Sequence, residues 1–585
     1  MNGNDWIQTG LFLLRILLPF LVILVAARCF HSMKAGRRRE EPVIVLENMV
    51  SKKTIPVLYW ENSLGRSRSC DIVLADMTAS RDHAVLMRRE TGWIVKDTES
   101  KSGTRVNGNK VPAEGKAVYP GDVITVGSTS LMLKRTSEAS VKMPKRRILR
   151  VASPAGLMVW VTVIQLILLL QACFSGGEFS ALPIIPFCAL FVIEWGLYFY
   201  SIHVLDRVSF ELETLGFLLS GISVMLLSGM RSKLEEGEAA PDAFALIHST
   251  MRETYVQVGA LLLGVILFCF LIWFMNDLER VMKFRMVIAI GAVLLFAANL
   301  LLAKESHGAR NWIVIGPISV QPSEFIKIAF IFVGASTLDR LQTARNLSGF
   351  LVFTAICLGC LFLMHDFGTA CIFFVTFLVI AFMRSGSFRT LFLALSAAAF
   401  GAFLILQFRP YVLDRFKGWR HVWEYVNESQ GYQQVRVLSY SASGGLFGLG
   451  IGNGKLGGGT SGTSVFAAES DLVFGMLNEE LGIILAVAVV CILAGLVLYT
   501  RSEATKSRST FYSICSCSAA AMLLFQACLN IFGSTDVLPL TGVTLPFISA
   551  GGSSMAAVWG LLAFLKACDE RTYAARRVKK KKGGR

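Results

Sequence analysis

The feature that most limits how this chain can fold is the recurrence of apolar runs long enough to cross a lipid bilayer. A run of roughly 17–25 residues with few charges spans the hydrocarbon core as a helix. Such runs fall at about 6–28, 155–174, 181–202, 213–229, 255–275, 286–303, 323–339, 347–364, 367–383, 390–408, 475–500, 510–532 and 546–566. The pattern predicts a polytopic α-helical membrane protein of about thirteen spans. Composition agrees: 17% of the residues are charged, where a soluble protein has about a quarter.

The first run has no basic segment before it and no small-residue cleavage site after it, so 1–30 reads as a retained anchor. Arg28, Lys34, Arg37, Arg38 and Arg39 follow it. Basic residues mark the cytoplasmic side, which puts the N-terminus outside. Alternating from there, Arg280, Lys283 and Arg285 come out cytoplasmic. So do Arg340 with Arg345, Arg384 with Arg389, Arg501 with Lys506 and Arg508, and the basic tail over 571–585. The net charge of +16 is largely this topology signal, and the tail is read as membrane-facing charge near lipid, not as a nucleic-acid site. The thirteen Cys lie mostly inside the runs, without metal-ligand spacing to His. They read as small apolar residues, and no metal site is predicted.

Residues 42–136 change character. Short alternating apolar runs at 55–59, 71–74, 84–87, 93–96, 123–126 and 131–134 are separated by Gly, Asn, Ser and Pro, an all-β sandwich pattern. The intervening loops carry Gly65-Arg66, Ser80-Arg81-Asp82-His83, Ser100-Lys101-Ser102-Gly103-Thr104, Asn107-Gly108 and Gly121-Asp122. In order and spacing the segment resembles the forkhead-associated (FHA) domain. That resemblance implies a site for a threonine-phosphorylated protein, with Arg66 and Ser80 on the phosphate, Arg81 and Lys101 near it, and His83 bracing its loop. A phosphate carries close to two negative charges and strong acceptors, which a guanidinium and a hydroxyl can meet. Ser102 stands where the family commonly has Asn. An FHA fold that binds no phosphopeptide is the alternative.

Beyond two linking spans at 150–207, the core at 208–570 concentrates polar residues in three stretches. Charge at membrane depth is costly and marks cavities or partners. In the first stretch, 308–327, Glu324 and Lys327 lie three residues apart on one helix face and can pair, either as a structural ion pair or as part of a site. The second is a long loop at about 409–474 with Arg409, Arg415, Lys417, Arg420, Arg436 and Lys455. Its charge suits an anionic substrate or anionic lipid equally. It turns Gly-rich at 443–454 and ends at Glu469-Ser470-Asp471; on chemistry alone Asp471 is a cap or a base. The third, 538–554, has two Pro and several Gly at a span start. Irregular backbone inside a membrane must be covered by protein or line a cavity.

Gly308-Ala309-Arg310-Asn311-Trp312, Gln321-Pro322-Ser323-Glu324, Asp366-Phe367-Gly368-Thr369, Gly431-Tyr432-Gln433, the Gly-rich run, Ser470-Asp471, Glu479-Glu480-Leu481-Gly482 and the 538–554 run occur in one order over some 360 residues. Together they resemble the SEDS family of FtsW, RodA and SpoVE. The chain departs from the family at Asn311, Met364-His365, Phe466-Ala467-Ala468, Ser470 and Ala550. The resemblance implies ten core spans and a glycosyltransferase that polymerises lipid II at the outer face of a bacterial cytoplasmic membrane, beside a class B penicillin-binding transpeptidase. Asp471 takes the family's key acidic position and would be the base. Arg310, Trp312, Glu324, Lys327, Arg415, Lys417 and Arg436 would meet substrate. Basic residues or a divalent cation would offset the pyrophosphate. A lipid-linked substrate transporter or a non-catalytic scaffold is the alternative reading.

Overall fold

The computed structural model describes the chain apart from 1–2, 36–43, 136–151, 230–242, 304–309, 337–343, 401–417, 458–464, 573–585 and some shorter stretches. Eleven strands between Ile44 and Arg135 form a sandwich. One sheet has the order β2-β1-β11-β10-β7-β8 and the other β4-β3-β5-β6-β9. The strands are β1 (Ile44–Asn48), β2 (Thr54–Val57), β3 (Glu61–Gly65), β4 (Ile72–Val73), β5 (Ala84–Arg89), β6 (Gly92–Asp97), β7 (Thr104–Val106), β8 (Asn109–Lys110), β9 (Lys116–Val118), β10 (Val123–Val126) and β11 (Thr129–Arg135). Side chains alternate across a strand. Ile124 and Val126 of β10 and Leu131 and Leu133 of β11 therefore share the core with Leu46, Leu64, Leu86 and Val95.

The membrane part is α-helical. Its helices are α1 (Gly3–Ala35), α2 (Pro154–Cys173), α3 (Ile184–Phe199, continued by a π turn to Val204), α4 (Glu211–Ser228), α5 (Ala243–Met275), α6 (Leu278–Leu302), α7 (Pro322–Ser336), α8 (Ala344–Leu363) and α9 (Phe367–Ser385). They continue with α10 (Tyr432–Ser443), α11 (Val473–Leu481), α12 (Ile483–Ala504), α13 (Thr510–Ser534) and α14 (Gly552–Cys568). Nine helices among the described residues are long and apolar enough to cross a membrane. The 390–408 run is described only in part, and those parts are helical.

Two helices form the centre. Every residue of α4, and every residue of α14 from Ser553 onward, is buried, as expected of a helix that is apolar all round. Lys566 of α14 ties them: its Nζ donates to Glu213 Oε2 at 2.8 Å and to Ser209 O at 2.8 Å. The expected 475–500 run is not one helix. It breaks at Gly482, whose φ of 86° is a left-handed conformation that Gly adopts without strain. The first piece, α11, is a short buried helix carrying Glu479 and Glu480. Only the second, α12, has the length of a span.

Candidate functional sites

In the β-domain three loops meet at one end. Arg66 follows β3 at Gly65, where a Cβ would lie 2.1 Å from Arg81 O, so only Gly lets the loops close this tightly. Arg66 N donates to Ser80 O at 3.0 Å, and Ser67 N to Arg81 O at 3.0 Å. Ser80 N donates to His83 Nδ1 at 2.9 Å, and Lys101 N to Ser80 Oγ at 3.1 Å. Ser102 Oγ bridges to Thr78 O at 3.4 Å. Arg66, Arg81, Lys101 and Ser102 are exposed, Ser80 is half-buried and His83 is buried. The structure thus brings the five residues expected at a phosphopeptide, Arg66, Ser80, Arg81, Lys101 and Ser102, to one end of the domain, with buried His83 accepting from Ser80 N beneath them.

Asp76 fixes the loop that carries Ser80. Its Oδ1 accepts from Thr78 N at 2.8 Å, and its Oδ2 accepts from Ser128 N at 2.8 Å and Thr129 Oγ1 at 3.0 Å. Burial alone would raise its pKa, but the hydrogen bonds from Thr78, Ser128 and Thr129 outweigh burial and hold it well below the usual carboxylate range. Since the unfolded value is about 3.9, this stabilisation is present above about pH 4 and is lost as pH falls through the depressed folded value. Asp76→Asn is expected to cost the domain about 1–3 kcal/mol at pH 7. In urea unfolding of the isolated domain, the gap from wild type should shrink below about pH 4; a gap independent of pH would count against the charge.

In the membrane part the three polar stretches converge. Asp471 precedes α11, its N donating to Ala467 O at 3.0 Å. A Cβ on Gly542 would lie 3.3 Å from Asp471 Oδ2, so the carboxylate lies against the 538–550 segment. Asn530 of α13 clamps the two chains, donating to Asp471 O at 2.8 Å and Val543 O at 2.7 Å. Ser549 Oγ donates to Ser470 O at 2.5 Å, and Ala550 N to Glu469 O at 2.8 Å. Gln257 of α5 supports the same turn, donating to Ser549 O at 2.9 Å and accepting from Gly551 N at 3.1 Å.

The first stretch joins from the side. Lys327 Nζ donates to Glu324 Oε1 at 2.6 Å and to Gln526 Oε1 at 3.0 Å. Gln526 Nε2 donates onward to Thr544 O at 3.0 Å. Glu324 and Lys327 are both buried, so they reach the 538–550 segment through Gln526. Asp366 caps α9, accepting from Thr369 N at 3.0 Å, and its Oδ2 accepts from Gln321 Nε2 at 3.2 Å and Asn311 Nδ2 at 3.4 Å. Gly368 sits where a Cβ would lie 3.0 Å from Thr541 O. Arg310 N donates to Met364 O at 3.0 Å, so exposed Arg310 and half-buried Trp312 flank the α8–α9 turn.

The non-Gly residues His365, Ala467 and Phe547 have φ of 60°, 57° and 66°, one beside Asp366, one beside Asp471 and one in the 538–550 segment. Such conformations cost about 1–3 kcal/mol each and persist where surrounding contacts over-determine them. Arg436 of α10 stacks on Tyr432, its guanidinium carbon 3.4 Å from the ring centroid. α10 packs on α11 and is docked to the end of α13 by Gln434 Nε2 donating to Gly533 O at 2.8 Å. Arg415, Lys417 and the basic tail beyond Thr572 lie outside the described residues. Among the described residues no three His, Cys, Asp or Glu side chains group as a metal set.

Gln257, Gln526, Asn530 and Ser549 are parts of the site that the sequence reading did not single out. The available signal was Gln526 and Asn530, the two amide side chains of α13, four apart and so on one face of the helix.

A family model described as a cell cycle protein, that of FtsW, RodA and SpoVE, matches residues 239–573. The FHA domain model matches 62–127. The peptidoglycan glycosyltransferase RodA of Mycobacterium tuberculosis is 27% identical over 60% of this chain and 75% of its own length. The probable peptidoglycan glycosyltransferase FtsW of Coxiella burnetii is 34% identical over 43% of this chain and 69% of its own. A chain from a solved peptidoglycan synthase complex is 24% identical with a TM-score of 0.48, covering 62% of this chain and 98% of that one.

Proposed function

The chain belongs to the FtsW/RodA/SpoVE family of cell cycle proteins, and we propose that it is a peptidoglycan glycosyltransferase that polymerises lipid II under the control of a phosphothreonine-binding FHA domain. The observation that carries this reading is the seating of the Asp471 carboxylate against the 538–550 segment, where all three polar stretches of the core meet. In the proposed reaction a hydroxyl of the acceptor sugar attacks the anomeric carbon of the donor. Asp471 takes the hydroxyl proton as general base. The new glycosidic C–O bond forms as the bond to the lipid-linked pyrophosphate breaks, through an oxocarbenium-like transition state. One displacement inverts the anomeric carbon. Arg310 and Arg436, with Arg415 and Lys417, offset the charge of the leaving pyrophosphate, a task a divalent cation bound with the substrate would share. Glu324 and Lys327 hold the 538–550 segment through Gln526.

On the proposed topology this chemistry faces outward from a bacterial cytoplasmic membrane. The N-terminus is outside, and the FHA domain and C-terminus are in the cytoplasm. The partner set is lipid II, a class B penicillin-binding transpeptidase and a threonine-phosphorylated protein. The purified chain is expected to convert lipid II into glycan chains. Flipping of lipid II across vesicles without polymer would favour a transporter, and neither activity would favour a scaffold.

At the FHA end, Arg66→Ala is expected to weaken a phosphothreonine peptide about 10–100-fold, the loss of hydrogen bonds to a charged group. Fluorescence titration against the unphosphorylated peptide checks it. Equal affinity of both proteins for the phosphorylated peptide would sink the phosphate site.

A further inference from the structure

Helix α1 lies outside the segment that matches the family, yet it is packed into the core. Its buried residues Leu18, Val22, Val25, Ala26, Cys29 and Met33 form one stripe, and α1 packs on α2, α4 and α12. The fit is close on α12: a Cβ on Gly495 would lie 2.3 Å from the Phe30 ring. A mere anchor needs no such seat, and it needs no arginine inside an apolar helix, where the charge is costly without a partner.

Arg15 has that partner. Its Nη1 donates to Gly448 O at 2.8 Å, and a Cβ on Gly450 would lie 3.4 Å from Arg15 Cζ. The guanidinium thus lies over the first turn of the Gly-rich loop. That loop rests on α11 through its backbone. Leu449 N donates to Glu479 O at 2.9 Å and Gly450 N to Glu480 O at 2.9 Å. Gly452 N donates to Glu480 Oε2 at 2.9 Å, and Lys455 N to Glu479 Oε1 at 2.7 Å. α11 begins at Val473, two residues after Asp471. The path from Arg15 to Asp471 is therefore one hydrogen bond, a loop bonded to one short helix, and the N-terminus of that helix.

Two further features bear on the seat of Arg15. Pro19 lies inside α1 four residues on. Proline has no backbone N–H to donate to the carbonyl of residue 15, so one intrahelical hydrogen bond is missing at Arg15 itself. At the other end Ser32 Oγ donates to Glu211 Oε1 at 2.7 Å and accepts from Ala152 N at 3.3 Å. The helix rises about 25 Å between Arg15 and Ser32, most of the hydrocarbon thickness, so α1 is pinned near both of its ends.

We propose that Arg15 is a positioning residue for glycan polymerisation: from outside the family's own segment it fixes the Gly-rich loop, and through α11 the placement of Asp471. This rests on the reading that Asp471 acts on lipid II. A residue that only aligns reacting groups lowers kcat and leaves KM nearly alone, and small misplacements cost up to about a hundredfold.

The test uses the full chain in vesicles. Arg15→Leu is expected to lower kcat for lipid II by roughly tenfold to a hundredfold with KM within about twofold. Amide exchange over 448–456 should speed up while α13 stays as protected as in wild type. Arg15→Lys keeps a donor for one carbonyl and should recover most of the rate and the protection. Wild-type exchange over 448–456 in Arg15→Leu would overturn the proposal, as would a Lys variant as impaired as the Leu variant. So would a loss of protection spread over the whole bundle, which is what a merely structural role gives. If Arg15→Leu yields no folded protein, Arg15→Gln is read by the same criteria. If the wild-type chain does not polymerise lipid II, the glycosyltransferase reading fails separately, and the exchange comparison still decides whether Arg15 holds the loop.

Discussion

Replacing Asp471 with Asn is expected to lower lipid II polymerisation by about 10²–10⁴-fold, the contribution of a positioned general base, while the protein stays folded. Folding should survive because four hydrogen bonds that anchor this segment run through its backbone. Asp471 N donates to Ala467 O, Asp471 O accepts from Asn530 Nδ2, and the preceding carbonyls are held by Ser549 Oγ and Ala550 N. Asn has the shape of Asp and lacks the charge that takes a proton, so the seat beside Gly542 is refilled. Electrophoresis of the glycan product and the thermal midpoint of the purified protein measure the two halves. Polymerisation within about threefold of wild type would remove Asp471 from the role of base, since even the low end of such catalysis is larger. A collapse of the midpoint would show that the carboxylate holds the fold.

The architecture was legible because its signals are local. Period-two alternation and turn residues gave the β-sandwich, and run length gave the membrane helices. Where a residue braces its own loop, as His83 does by accepting from Ser80 N, the motif itself carried the information. The break at Gly482 was hidden because α11 is as apolar as the span after it, apart from Glu479 and Glu480. Those acids spend their oxygens on the backbone donors of a loop 23–28 residues earlier, a partnership no periodicity reveals. The same holds for Lys566 with Glu213, 353 residues apart, and for Gln526, whose partners are Lys327 of α7 and Thr544 of the 538–550 segment. Hydropathy says that such a residue needs a partner; only the packing of the helices says which one.

Lys327→Met is expected to destabilise the core by about 3–5 kcal/mol, because removing one member of a buried ion pair leaves the other charge uncompensated. Glu324 would be left in a poor position to bear it: its Oε1 bonds Lys327, and its Oε2 has no hydrogen-bond partner among the described residues. Pairing the change with Glu324→Gln removes the stranded charge and should recover most of the loss, since a buried pair is often replaceable by uncharged groups of similar volume. A double-mutant cycle read by thermal unfolding measures that recovery. Additive losses would mean that the two side chains do not interact as the 2.6 Å contact requires. Activity then separates position from stability. Without Lys327, Gln526 loses the donor at its Oε1, and its amide is free to turn away from Thr544 and the 538–550 segment that Asp471 faces. A double variant that is stable but slow places the role of the pair in aiming Gln526. One that is both stable and fast reduces the pair to a structural tie between α7 and its neighbours.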